Sequence, residues 1–141
     1  MDKGAVPRAI TAAATGDAGD NDIVIVSAVR TALGKAKRGG FRDTRPDDLL
    51  TAVLQETLRK NSPITTADVG DIVVGTVLPA GETAAVNFRV AAMLAGFPDS
   101  VPIRSVNRLC SSGLQAVADV AAGIRAGYYD CGIAAVCECT V

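Results

Sequence analysis

Short apolar runs alternate with helix-like segments along this chain, and this alternation restricts the fold more than any other feature. Residues 23–26 form an unbroken β-branched run, the pattern expected of an interior strand covered on both faces. Further short apolar runs lie at 72–74, 103–106 and 132–136. Strands that alternate with helices at this spacing favour right-handed crossovers and a mainly parallel sheet between helix layers. The sequence therefore predicts an α/β fold.

Helices are predicted between the strands that follow the first run. Pro46 marks the start of one, because proline at the first helical position sacrifices no helical hydrogen bond. Apolar residues repeat on one face of this helix: Leu50, Val53, Leu54 and Leu58. The next helix is predicted to end at Gly96, before Pro98. Its apolar positions are Val86, Val90, Met93 and Leu94.

The helix before the last strand is predicted to begin at Cys110 or Ser111 and to run to Ala126, with Gly127 as its stop. Its inward-facing positions are expected to be Leu114, Val117, Ala121 and Ile124. Cys110 would then lie where a loop passes into a helix. The first helical turn presents unpaired N–H groups and a positive dipole end, which both favour a thiolate. By residue type alone, however, a lone cysteine is more often a small buried apolar residue.

Composition excludes some classes of function. The 141 residues are 49% hydrophobic with a formal net charge of −1, which suits one domain with a buried core. No apolar run reaches the ~20 residues that cross a bilayer, and the basic residues are scattered. Neither a nucleic acid nor a membrane is therefore expected as a partner. A dinucleotide-binding fold is disfavoured because no Gly-x-Gly-x-x-Gly or Walker-type loop occurs.

The cysteine content indicates a reducing compartment. The sequence has four cysteines and no signal-peptide pattern, so free thiols are expected rather than disulfides. Cys137 and Cys139 form a Cys-x-Cys pair, but no metal site is predicted because the chain has no histidine and no second pair. Cys131, in an apolar run, is expected in the core. Residues 1–21 lack regular periodicity and are expected to be a flexible extension preceding a domain at 22–141.

Several segments resemble the thiolase family, and they occur in the family's order. The principal one is 107–115, which contains Cys110. The others are at 30–34, 38–41, 46–50, 70–77, 97–102 and 116–130. The resemblance covers about residues 22–130 and is greatest to the 3-ketoacyl-CoA thiolases of peroxisomal fatty-acid oxidation. It implies a thiolase-like three-layer α/β/α half-domain with a mainly parallel sheet.

The resemblance implies that Cys110 is the acyl-accepting nucleophile and that its backbone N–H is a donor to the oxyanion. Arg108 would add a positive charge nearby. Supporting or structural roles fall to Asn107, Arg108, Ser111, Ser112 and Gly113. The implied reaction is thiolytic cleavage of a 3-ketoacyl-CoA to acetyl-CoA and a shortened acyl-CoA, in fatty-acid β-oxidation. Coenzyme A would be a substrate, and no other cofactor is expected.

The chain departs from the family pattern near its end. Val-Cys-Glu-Cys-Thr at 136–140 stands where Gly-Val-Glu-Ser-Met is expected, so only Glu138 matches there. The family's activating histidine and second catalytic cysteine belong to later motifs that do not occur in this sequence. The chain is therefore expected to be truncated and its half-domain incomplete. The strand expected between 23–26 and 132–136 would be missing, which predicts poor solubility or dependence on a partner.

Several alternatives remain open. One is an acetoacetyl-CoA thiolase, and another is a noncatalytic truncated product that associates with full-length thiolase. The resemblance implies a homodimer or such an association, and an acyl-CoA substrate if the chain is active. Location in the peroxisome is expected by kinship alone, with the cytoplasm or mitochondrion as alternatives. No Ser-Lys-Leu-type signal is present.

Overall fold

The computed structural model describes residues 19, 22–78 and 83–138. The predicted extension at 1–21, except Gly19, lies outside these residues, as does Cys139. A short 3₁₀ turn at Thr66–Asp68 precedes the sheet. The helices and strands alternate in the order α1 (Pro46–Arg59), β1 (Asp71–Gly75), α2 (Ala84–Leu94), β2 (Ile103–Val106), α3 (Ser112–Arg125) and β3 (Gly132–Val136).

The strands form one parallel sheet in the order β2-β1-β3. In the register of this sheet, Ile72 of β1 lies beside Ile103 of β2 and Ile133 of β3. Because β1 is central and has helices on both faces, its residues Ile72, Val73 and Val74 are completely buried. The parallel sheet and the strands predicted from 72–74, 103–106 and 132–136 are therefore confirmed.

Helices cover both faces of the sheet. On one face, Ile72 and Val74 pack with the buried residues of α1 and α2, including Leu54 and Phe88. On the other face, Val73 packs with Ala116 and Val120 of α3. The side chains of one strand point to alternate faces, so β1 contributes to both clusters. The three-layer α/β/α arrangement is thus confirmed.

Helices α1 and α2 lie where the sequence predicts them, but the buried face of α2 differs from the predicted one. Helix α1 begins at Pro46 and buries Leu50 and Leu54. Helix α2 ends before Gly96, whose φ of 92° suits glycine. The side chains that α2 buries are mostly small: Ala84, Phe88, Ala91 and Ala92. The apolar residues that identified this helix in the sequence lie on its exposed side: Val86, Val90, Met93 and Leu94.

The prediction of an interior strand at 23–26 is wrong. These residues belong to no strand, and Ile25 is 68% exposed. A β-branched run becomes a strand only where a neighbouring strand bonds its backbone N–H and C=O groups. None of the strands in the described part of the chain pairs with this segment, and β3 pairs with β1 alone. The expectation about solubility stays a prediction.

The predicted inward face of α3 is also partly wrong. The helix begins at Ser112, and Leu114 is 74% exposed, with Val117 exposed as well. Ala121 and Ile124 are half-buried. The side facing the sheet instead carries Ser112, Ala116, Val120 and Gly123. Small residues occupy this side because the start of α3 lies against β1, so the largest apolar residues do not mark the inward face.

Gly75 is the point of closest approach between β1 and α3. A Cβ atom at position 75 would lie 2.6 Å from the carbonyl carbon and oxygen of Ser112. Because these are backbone atoms, they cannot swing aside as a flexible side chain could. Glycine at this position therefore allows the helix to pack closely on the sheet.

We predict that Gly75→Ala lowers the free energy of unfolding by about 2 kcal/mol, because the added methyl group overlaps the Ser112 backbone. Gly40→Ala is the matched control, since a Cβ there meets nothing within 4 Å, and we expect a change within about 0.5 kcal/mol. Urea unfolding at equal chain concentration measures both variants. Equal stability of the two variants would contradict this account of the contact.

Candidate active site

The candidate site lies at the carboxyl edge of the sheet. In a parallel sheet the segments that follow the strands leave from the same edge, which is where ligands of open α/β folds bind. Here β1 is followed by Val77, β2 by the turn 107–111, and β3 by Glu138. The sheet therefore brings Cys110 to the same edge as two segments that are distant in sequence.

Cys110 lies on a tight turn between β2 and α3. The turn is closed by hydrogen bonds from the Ser111 N–H to the Arg108 carbonyl oxygen (3.2 Å) and from the Ser112 N–H to the Leu109 carbonyl oxygen (3.0 Å). Leu109 has a φ of 51°, in the left-handed region that leucine rarely adopts. Helix α3 begins at Ser112, so Cys110 precedes the helix rather than beginning it as predicted. The side chain of Cys110 is exposed at this turn.

Asn107 connects this turn to the segment after β1. Its Nδ2 group donates a hydrogen bond to the Val77 carbonyl oxygen at 3.2 Å, and its Oδ1 atom accepts one from the Leu109 N–H at 3.0 Å. Asn107, predicted from the sequence as a supporting residue, thus bonds both the segment after β1 and the turn that carries Cys110. Its amide holds the residue before Cys110 at a fixed position relative to β1.

Glu138 makes the corresponding connection from β3. Its Oε2 atom accepts a hydrogen bond from the Val77 N–H and its Oε1 atom accepts one from the Leu78 N–H, both at 2.8 Å. Val77 therefore bonds Glu138 through its N–H and Asn107 through its carbonyl oxygen. The sequence indicated Glu138 only through its match to a family glutamate and did not indicate the role of the Val77 backbone.

Ser111, Ser112 and Gly113 differ in their surroundings. Ser111 is exposed, and its hydroxyl donates to the Arg108 carbonyl oxygen at 2.8 Å. Ser112 is buried, and its Oγ accepts from the Arg108 N–H at 2.8 Å and donates to the Leu109 carbonyl oxygen at 2.6 Å. A Cβ on Gly113 would lie 3.5 Å from the Val136 Cβ, an ordinary contact. Contacts around position 113 therefore do not require glycine.

The side chain of Arg108 is engaged along α3. Its guanidinium hydrogen-bonds the Gln115 side chain, and Gln115 Nε2 donates to Asp119 Oδ1 at 2.6 Å. Asp119 also accepts a hydrogen bond from Arg104 at 2.9 Å. These hydrogen bonds, from Gln115 and then Arg104, hold the pKa of Asp119 below its ordinary value. An electrostatic effect of Arg108 on the Cys110 thiol stays a prediction.

The cysteines of the described part of the chain occupy different environments, and none of them forms a disulfide. Cys131 is half-buried against the core, as expected, and burial raises the pKa of its thiol. Cys137 is buried, with its Sγ 3.2 Å from the Pro46 carbonyl oxygen. Cys110 is exposed. Of these thiols, the one at the carboxyl edge is the most accessible to a substrate.

Within the described ranges 22–78 and 83–138, no group of at least three His, Cys, Asp or Glu side chains is placed to hold a metal ion. None of the helices there is long and apolar enough to span a membrane.

The family model described as "Thiolase, N-terminal domain" matches residues 23–139. The chain is 64% identical over 118 residues to the peroxisomal 3-ketoacyl-CoA thiolase 5 of Arabidopsis thaliana, which covers 84% of this chain and 26% of that protein. It is 52% identical over 114 residues to the peroxisomal 3-ketoacyl-CoA thiolase B of Rattus norvegicus, covering 81% of this chain and 26% of that protein. The chain thus spans about a quarter of the length of these curated relatives.

Solved structures give the same relationship. The dimeric peroxisomal thiolase of Saccharomyces cerevisiae aligns with a TM-score of 0.71 and 38% identity, over 77% of this chain and 28% of that chain. A second structure of that organism's peroxisomal 3-ketoacyl-CoA thiolase is described as five-layered with two core domains of identical topology. It aligns with a TM-score of 0.75 and 36% identity, over 80% of this chain and 34% of that chain. The Bacillus anthracis acetyl-CoA acetyltransferase aligns with a TM-score of 0.61 and 31% identity, over 68% of this chain and 24% of that chain.

We predict that Glu138→Gln accelerates hydrogen exchange at the amide of Val77 or Leu78 by about fivefold, because a glutamine oxygen can accept only one of the two hydrogen bonds. Amide exchange followed by NMR measures the rates. Glu56→Gln, which removes a carboxylate paired with Arg59 on α1, is the control and should leave both amides unchanged. Unchanged rates in Glu138→Gln would show that the carboxylate does not hold this segment in solution.

We also predict that the carboxyl group of Asp119 titrates below its ordinary value of 3.8 in the folded chain, because Gln115 and Arg104 bond its ionised form. Such a group stabilises the fold above its unfolded pKa, and this contribution is lost as the pH falls through the lower folded pKa. NMR titration should show a higher midpoint in Gln115→Ala. Gln55→Ala, a glutamine on α1 that bonds the Leu94 carbonyl oxygen, should leave the midpoint unchanged. A midpoint insensitive to Gln115 would refute the assignment.

Proposed function

Because the chain belongs to the thiolase family, we propose that it functions in thiolase-type acyl transfer with Cys110 as the acyl-accepting nucleophile. The observation that carries the proposal is the placement of an exposed thiol at the carboxyl edge of the sheet, directly before α3. This turn is bonded to the segment after β1 through Asn107. Such a turn holds a nucleophile in a fixed position while leaving it open to a substrate.

The proposed reaction is the thiolytic cleavage of a 3-ketoacyl-CoA. The Cys110 sulfur attacks the 3-keto carbon, the bond between C2 and C3 breaks, and acetyl-CoA leaves as an enolate that takes up a proton. The thiol of a second coenzyme A then attacks the acyl-cysteine, releases a shortened acyl-CoA and returns the Cys110 thiol. Relatives named 3-ketoacyl-CoA thiolases support this substrate class. Coenzyme A enters as a substrate, and no further cofactor is proposed.

Attack on the keto carbon places negative charge on its oxygen, and we assign the Cys110 backbone N–H as one donor to that oxyanion. Within residues 22–78 and 83–138, this N–H makes no hydrogen bond to another backbone group outside the helices and strands. Its position two residues before the first residue of α3 places it near the positive end of the helix dipole. Preorganised donors of this kind commonly supply the largest share of stabilisation in acyl transfer.

The proposal assigns a nucleophile and an oxyanion donor to this chain, but no general base. The sequence contains no histidine, the side chain that most often serves as the base for a thiol near neutral pH. Formation of the acyl-cysteine is therefore the step that tests these residues most directly, because it depends on the thiol and its immediate surroundings.

We further propose a homodimer, or association with a full-length thiolase, and location in the peroxisome. The yeast relative is described as dimeric and peroxisomal, and the plant and rat relatives are named peroxisomal. In the described part of the sheet, β2 and β3 each pair on one side only. Such open edges are the places where a sheet associates with a further strand or chain.

Incubation of the purified chain with acetoacetyl-CoA, followed by peptide mass spectrometry, tests the proposal. We predict an acetyl adduct on the peptide containing Cys110 and none in Cys110→Ala. Cys131→Ala is the matched control and should retain the adduct, because burial raises the pKa of that thiol and keeps it un-ionised. A folded wild-type chain without an adduct at Cys110 would overturn the proposal and favour a noncatalytic member of the family.

A further inference from the structure

The hydroxyl of Ser112 bonds both residues that precede Cys110. It accepts a hydrogen bond from the Arg108 N–H at 2.8 Å and donates one to the Leu109 carbonyl oxygen at 2.6 Å. The side chain is 1% exposed, so water cannot replace these bonds. One buried hydroxyl thus closes the turn on which Cys110 lies.

The turn requires such a constraint because of Leu109. Its φ of 51° lies in the left-handed region, where the Cβ of an L-residue crowds the following carbonyl group. The Leu109 N–H is bonded by Asn107 and its carbonyl oxygen by Ser112. The peptide groups on both sides of Leu109 are therefore held, and the left-handed conformation is maintained by its surroundings.

Ser112 is itself fixed against the sheet. A Cβ on Gly75 would lie 2.6 Å from the Ser112 backbone, so the end of β1 and the start of α3 are in direct contact. The hydroxyl of Ser112 therefore fixes the turn relative to the central strand. Ser111 differs, because its exposed hydroxyl bonds only the Arg108 carbonyl oxygen.

We propose that Ser112 is a positioning residue that aims the N–H of Cys110 and its sulfur at the same acyl group. This inference rests on the proposed acyl transfer. Without the Ser112 hydroxyl, the Arg108 N–H loses its acceptor, and Leu109 keeps only the hydrogen bonds to Asn107 and to the Ser112 N–H. The left-handed conformation is then less firmly held, and the peptide that carries the Cys110 N–H can rotate. The thiol would stay exposed and reactive, but the oxyanion donor would no longer lie beside it.

Two reagents distinguish an effect on the position of the Cys110 N–H from an effect on the reactivity of the Cys110 thiol. Acetoacetyl-CoA acylates the sulfur through an oxyanion: the C2–C3 bond breaks, the acetyl group stays on sulfur, and the acetyl-CoA enolate is protonated by water. Iodoacetamide alkylates the same sulfur by displacing iodide, with the thiol proton passing to solvent and no oxyanion formed. A change in thiol exposure or ionisation alters both rates, whereas a misplaced N–H slows acylation alone.

We expect Ser112→Ala to slow acylation of Cys110 by at least about tenfold while alkylation stays within about twofold of wild type. Thr57→Val is the matched control, because it removes a half-buried hydroxyl that donates to the Val53 carbonyl oxygen on α1, and it should leave both rates unchanged. Equal acylation of Ser112→Ala and wild type would overturn the inference alone. A folded wild-type chain that is alkylated but never acylated would instead overturn the proposed function and the inference with it.

Hydrogen exchange in the wild-type chain decides the inference if Ser112→Ala does not fold. The Arg108 N–H should then be protected to an extent comparable with the amides of α3, because its acceptor is the buried Ser112 hydroxyl. The Cys110 N–H on the same turn should exchange rapidly. Exchange of Arg108 at the rate of an unstructured peptide would overturn the proposed role of Ser112.

Discussion

The structure around the candidate site depends on the contact between the backbones of Gly75 and Ser112. This contact joins the end of the central strand to the start of α3, with no room for a Cβ between them. It sets the distance between helix and sheet, which is why α3 turns small side chains inward and leaves Leu114 exposed. Since Ser112 also bonds the turn before Cys110, the packing of the sheet determines the position of the thiol.

Side-chain bonds to the backbone hold together the segments that leave the sheet at its carboxyl edge. Asn107 and Glu138 both bond the backbone of Val77, so the exits of all three strands meet at one residue. Each such hydrogen bond contributes on the order of 1 kcal/mol, and less where water competes. These bonds matter mainly for geometry. A loop has no regular backbone hydrogen bonds of its own, and the side-chain bonds give it a defined conformation on the rigid sheet.

The sequence predicted those features whose signals are local. Pro46, Gly96 and Gly127 mark helix ends through backbone conformation alone, and the helices there agree closely with the prediction. The run at 23–26 has an equally clear strand composition, but composition does not reveal whether a pairing strand lies beside it. The bonds from Asn107 and Glu138 to Val77 join residues 30 and 61 positions apart, so no local pattern could have indicated them. Cys110 was singled out through the family resemblance of segment 107–115, and its catalytic role stays a prediction.

The thiols that the structure describes differ in how far they are buried. A cysteine reacts as its thiolate, and removal from water disfavours that charged form. Burial raises the pKa of Cys131, and Cys137 lies inside the core with its Sγ 3.2 Å from the Pro46 carbonyl oxygen. Cys110 remains in water at the positive end of α3. The fold that shields these two thiols therefore leaves Cys110 open to solvent at the carboxyl edge of the sheet, where a substrate can reach it.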